Sequence, residues 1–88
     1  VVEAAHEKHL PVVSVDGSDV QINVGQVDHP MTPEHYITTI VMQTESTWSV
    51  HTLKPGDAPH AQFSIAAGDQ VVAAYAYCNL HGLWKTTK

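Results

Sequence analysis

Apolar and polar residues alternate over residues 20–24, where Val20, Ile22 and Val24 are separated by Gln21 and Asn23. That period of two is the signature of a half-buried strand. Asp16-Gly17-Ser18 just ahead of it is a turn signal, so residues 11–15 are expected to pair with it as a hairpin. Residues 36–44 hold Ile37, Thr38, Thr39, Ile40 and Val41 in a row, a β-branched run suited to a central strand. Residues 47–53 follow as its neighbour. Lys54-Pro55-Gly56-Asp57-Ala58-Pro59 breaks the pattern, since two prolines and a glycine do not fit inside a strand. Residues 61–66 place Phe63 and Ile65 on one face, and residues 70–77 form another apolar run opened by Ala67-Gly68-Asp69. Only Thr32-Pro33-Glu34-His35 reads as helical, with Thr32 as N-cap and Pro33 at the first position, and it predicts one turn. Six or seven short strands between turn signals predict an all-β sandwich or barrel.

Eighty-eight residues suffice for a single domain over 1–88, with a core that buries only roughly 60% of the unfolded chain's surface. Metal ligation or self-association is the expected supplement, and an apolar face on so small a sandwich suits a homodimer or homotetramer. Charged residues make up 15% and apolar ones 43%, which excludes a disordered segment. No apolar run approaches the about 20 residues of a membrane-spanning helix. A net charge of −5 with four Lys and Arg excludes a nucleic-acid binder. Val1 is not an initiator methionine, so a processed or excised piece is expected. The single cysteine can form neither an internal disulfide nor a four-cysteine cluster. A lone thiol favours a reducing compartment such as the cytoplasm.

That cysteine lies in Cys78-Asn79-Leu80-His81-Gly82-Leu83-Trp84, where one tight turn can present a thiolate and an imidazole to the same ion. Three further histidines sit in turn-like settings: Glu7-Lys8-His9-Leu10-Pro11, His29-Pro30-Met31 and Glu34-His35-Tyr36-Ile37. Pro11, Pro30 and Pro33 stiffen the chain beside them. All five candidates fall between the predicted strands, where loops gathered at one end of a sandwich can converge. One sulfur and four imidazoles are one donor too many for tetrahedral zinc and suit a redox metal with a position left open. His6, His51 and His60 have no such neighbours and read as solvated. A single cysteine taken alone is more often a small buried hydrophobe than a ligand; the coincidence with four histidines favours metal binding.

Together with Leu53-Lys54-Pro55-Gly56-Asp57-Ala58-Pro59 and the run from His29 to Ile37, these segments resemble the superoxide reductase family, which comprises neelaredoxin and the iron-binding domain of desulfoferrodoxin. The match spans nearly the whole chain in order. The resemblance implies an immunoglobulin-like β-sandwich carrying one non-haem iron. It implies His9, His29, His35 and His81 in an equatorial plane, His81 through its δ nitrogen and the others through ε, with Cys78 as axial ligand. The cysteine-rich N-terminal domain of desulfoferrodoxins is absent from the sequence, so the short form or an excised catalytic domain is expected.

The implied activity is one-electron reduction of superoxide to hydrogen peroxide at Fe2+ with an open sixth position, the iron being re-reduced by rubredoxin or a similar donor. Lys8 would steer the anion and support protonation. Glu7 would swing onto the oxidised metal, a hard donor for Fe3+. The backbone N–H groups of Asn79 and Leu80 would bond to the thiolate and tune the potential. Tyr36 and Trp84 would wall the site or the core, as packing and not chemistry. Two rivals remain at this point. A cupredoxin-like electron carrier also uses a Cys-x-x-His element, although a blue-copper site needs only two histidines and its usual axial methionine has no candidate after His81. A non-enzymatic sandwich with structural zinc would leave a fifth donor unexplained.

Overall fold

The computed structural model describes residues 9–88, which form seven strands: β1 (Pro11–Asp16), β2 (Asp19–Val24), β3 (Ile37–Thr44), β4 (Trp48–Thr52), β5 (His60–Ser64), β6 (Val71–Cys78) and β7 (Gly82–Thr87). Two antiparallel sheets result, one of order β1-β2-β5 and one of order β4-β3-β6-β7. This is the expected immunoglobulin-like sandwich without its disulfide. The β1–β2 hairpin closes through Gly17-Ser18, with Asp16 opposite Asp19, and Gly17 takes the positive φ that the turn requires. β7 is the strand that the apolar pattern did not delimit. Its residues alternate between half-buried and exposed, as an edge strand's do.

Val20, Ile22 and Val24 of β2 face Ile37, Ile40 and Met42 of β3 and Ala74, Ala76 and Cys78 of β6 in one buried cluster. The polar partners Asp19, Gln21 and Asn23 point to the other side of β2, as the alternation requires. Ile37 and Ile40 are three residues apart, yet both are buried. A register shift between Ile37 and Thr39, where β3 pairs with Cys78 and Tyr77 of β6, accounts for it. The extra residue, Thr38, resets which side chains face inward just where the chain enters the sandwich from His35.

The expected helical turn at 32–35 is corrected: no helix is among the elements of the described residues. Thr32 and His35 instead exchange backbone hydrogen bonds at 3.0 and 3.1 Å, with Pro33-Glu34 at the corner. The Thr32 hydroxyl oxygen also accepts the His35 N–H at 3.2 Å. Thr before Pro suits the opening of a β-turn as well as that of a helix, and the β-branched run from Ile37 takes the chain into β3 before a second helical turn can form. Antiparallel pairing brings the starts of β1, β3, β5 and β7 and the ends of β2, β4 and β6 to one end of the sandwich. All the candidate ligands lie there.

Candidate metal centre

Cys78 is the last residue of β6, not a loop residue as expected, and it is fully buried in the core cluster. It pairs with Gly82 across a three-residue connection, Asn79-Leu80-His81. Gly82 has φ +79, a left-handed conformation open to glycine without strain. The turn it closes returns His81 beside the sulfur, with Cys78 Sγ 3.9 Å from His81 Nδ1. The remaining imidazoles arrive from two other segments. His9 precedes β1, held by a bond from the Gly25 N–H to the Leu10 carbonyl. His29 and His35 flank the turn between β2 and β3.

The four rings form a closed square. Centroids of successive rings are 4.5 Å (His9–His29), 4.6 Å (His29–His35), 5.0 Å (His35–His81) and 4.9 Å (His81–His9), each pair crossing at 80–82°. His9 and His35 face each other across the diagonal at 6.1 Å and 30°. Donor atoms point inward: Nε2 of His9 lies 3.0 Å from Nε2 of His29 and 3.1 Å from Nδ1 of His81. Ligand atoms of His9, His35, Cys78 and His81 all fall within 4.8 Å of one another. Two nitrogens bound at right angles through bonds of about 2.1 Å would lie ~3.0 Å apart, and at a tetrahedral angle ~3.4 Å. The observed spacings fit the right-angled arrangement. With the Cys78 sulfur joining the four nitrogens, the donor set fits a mononuclear non-haem iron better than structural zinc.

Burial grades across the site. His9 and His29 are each 2% exposed and Cys78 is 0% exposed, His35 is half-buried, and His81 lies at the surface. The His29 Nδ1–H donates to the Pro30 carbonyl at 2.7 Å. Because a carbonyl only accepts, this bond fixes the tautomer and leaves Nε2 free to ligate. Burial lowers the His29 pKa from 6.5 to about 4, opposed by the Pro30 bond and reinforced by His9, His35 and His81. The ring is therefore neutral at pH 7, as a ligand must be. The Trp84 ring stacks on His9 at 4.7 Å and 27°, so it does wall the site.

Glu7 and Lys8 lie outside the described residues, as does His6. His51 is exposed on β4, as expected. His60 differs from the solvated reading: it is half-buried, and its Nδ1 makes no hydrogen bond to the described residues. The expectation for Asn79 is also modified, since its N–H donates to the Tyr36 carbonyl at 3.1 Å and so is engaged elsewhere than at the sulfur. Its side chain, which sequence reasoning missed, bonds on either side of His35. An amide directly after the cysteine was the available signal, because Asn side chains commonly bond to nearby backbone. Neither methionine replaces a copper ligand: Met42 is core, and Met31 Sδ accepts the Ile37 N–H at 3.4 Å.

Comparison with known proteins places the fold and sequence in one family. The family described as desulfoferrodoxin matches residues 1–87. Desulfoferrodoxin of Nitratidesulfovibrio vulgaris is 46% identical over 83 residues, covering 94% of this chain and 64% of the relative. Superoxide reductase of Thermococcus kodakarensis is 32% identical over 97 residues, covering 90% of this chain and 84% of the relative. The crystal structure of superoxide reductase from Treponema pallidum superposes with a TM-score of 0.93 at 48% identity, over 98% of this chain and 71% of that one. The chain thus spans just under two thirds of the length of several desulfoferrodoxins it matches. With a family model that matches nearly the whole chain and relatives of this identity and shape, the chain belongs to the desulfoferrodoxin family.

Proposed function

We propose that this domain is a superoxide reductase whose iron would be held by His9, His29, His35, His81 and Cys78. The observation that carries the reading is the closed square of imidazoles beside a buried sulfur. Bound there, ferrous iron would supply the single electron that, with two protons, converts superoxide to hydrogen peroxide. Four neutral rings and one thiolate would leave a net charge of about +1 at the centre, which attracts an anion despite the acidic chain. As a ligand the Cys78 thiolate would push electron density toward the metal, as thiolates do in haem proteins. Burial of Cys78 keeps that sulfur away from water and from oxidants. Among the described residues no carboxylate joins this group of donors.

Lys8, next to His9 in sequence, is assigned to steering superoxide and passing it protons through water. Glu7 is assigned to capping the oxidised centre. Reduction in one direction consumes an electron, so turnover requires a donor, a small one-electron carrier such as rubredoxin. The free thiol suits the cytoplasm. Trp48 and Val50 on the outer side of β4, 59% and 63% exposed, suit self-association as a dimer or tetramer.

Anaerobically purified protein should contain one iron per chain and, mixed with superoxide, yield peroxide without dioxygen. Copper or zinc in place of iron, or release of dioxygen in equal amount, overturns the reading. Lys8→Ala should slow capture roughly tenfold at low salt and flatten its ionic-strength dependence. An unchanged rate in low salt removes the steering role.

A further inference from the structure

We propose that the Asn79 side chain is a positioning residue that sets the reach of His35 into the metal centre, an inference that rests on the site assignment above. Its Oδ1 accepts the Tyr36 N–H at 2.9 Å and its Nδ2 donates to the Glu34 carbonyl at 3.1 Å. Those two groups belong to the peptide bonds on either side of His35. A third bond, from the Asn79 N–H to the Tyr36 carbonyl at 3.1 Å, ties the same segments. Asn79 itself stands between Cys78 and His81. One residue therefore couples the loop bearing His35 to the turn bearing two other donors, across a sequence separation of 43 and 45 residues.

The requirement is chemically narrow. The loop needs an acceptor and a donor from one short planar group. Aspartate supplies only the acceptor, alanine neither, and glutamine carries both one methylene too far. The remaining bonds of the 32–35 turn are internal to the loop, so they shape it without fixing its distance from Cys78. A donor shell must be held to within about 0.5 Å to define a coordination geometry. Residues that orient ligands in this way typically contribute roughly ten- to hundredfold to metal affinity.

Wild-type apoprotein, Asn79→Ala, Asn79→Asp and Ser46→Ala are compared in two measurements. One is hydrogen exchange of the Tyr36 amide without metal. The other is titration with Co2+, whose visible bands report coordination geometry. Ser46→Ala is the control, because it removes a 2.7 Å side-chain bond to Asp69 at the opposite end of the sandwich. Asn79→Ala should speed Tyr36 exchange and weaken Co2+ binding by roughly tenfold or more, with shifted bands. Asn79→Asp should fall between, and Ser46→Ala should match wild type in both. Wild-type exchange and bands in Asn79→Ala overturn the inference, as does an equal shift in Ser46→Ala. If Asn79→Ala does not fold, Asn79→Asp decides by the same criteria. Wild-type protein that binds Co2+ but, loaded with iron, reduces no superoxide counts against the activity alone.

Discussion

Cys78 shows how one residue can serve the core and the chemistry together. Its sulfur is a fully buried member of the hydrophobic cluster and also stands 3.9 Å from His81 Nδ1, a candidate ligand atom. Cys78→Ser should act on both. A hydroxyl does not ionise at neutral pH, so the sulfur-to-iron absorption band should vanish and peroxide formation fall by roughly tenfold or more. The buried hydroxyl should also lower apoprotein stability by about 1–3 kcal/mol if it finds no partner, measurable by denaturant titration. His29 contributes a pH dependence of its own. In the metal-free protein, the unfolded chain protonates this ring near 6.5 while burial keeps the folded ring neutral down to about 4. The unfolded state then binds more protons across that interval. The contribution of His29 to stability should be complete above pH 6.5, decline as pH falls toward 4 and change no further below it. His29→Gln should flatten that part of the profile, and an unaltered slope would show that another group titrates there.

At the scale of elements, strand periodicity was legible where one face is fully buried and the other wet, and not in β7, which alternates only between half-buried and exposed. Val20, Ile22 and Val24 against Gln21 and Asn23 gave β2 and its hairpin, and the β-branched run from Ile37 gave the central strand β3. Two further features escaped for physical reasons. The bulge at Thr38 depends on register against β6, which no local pattern encodes. The 32–35 turn uses Thr and Pro, residues that open helices and β-turns alike, and only the strand-forming residues after them decide between the two. The candidate ligands were legible as residue types and spacings. Their order around the square was not, because it arises from the pairing of strands distant in sequence. Gly82 links the two levels, since its left-handed backbone closes the β6–β7 connection although nothing lies within 4 Å of where an added methyl group would sit. Gly82→Ala should therefore cost backbone strain alone, about 1–2 kcal/mol. It should also weaken metal binding by tilting the turn that carries His81. Ile40→Ala, in the middle of β3 and fully buried, should cost about 2–5 kcal/mol and leave metal affinity nearly unchanged. Equal effects of the two variants on metal binding would deny the turn its particular role.

For the molecule as a whole, the donors come from three regions: His9 before β1, His29 and His35 between β2 and β3, and Cys78 with His81 at the β6–β7 connection. An ion held by all of them cross-links both sheets at one end. The other end relies on hydrogen bonds of the β3–β4 turn, where the Thr44 hydroxyl accepts the Ser46 and Thr47 N–H groups at 3.3 and 3.0 Å. A domain this small has little core to spare, so the bound ion should count heavily in its stability. Binding to the folded state alone at a hundredfold excess over the dissociation constant contributes about 2.7 kcal/mol. For a domain of this size that corresponds to a rise of roughly 10–20 °C in midpoint. Calorimetry under anaerobic conditions, with and without a strong chelator, should show that gap, and it should narrow on acidification as protons compete for the four imidazoles. Removing His35 as a ligand (His35→Ala) should erase most of the gap while leaving the apoprotein midpoint close to wild type, since the ring is only half-buried. Coincident melting curves for loaded and stripped protein would mean that the square is preformed by the sandwich and adds nothing to its cohesion.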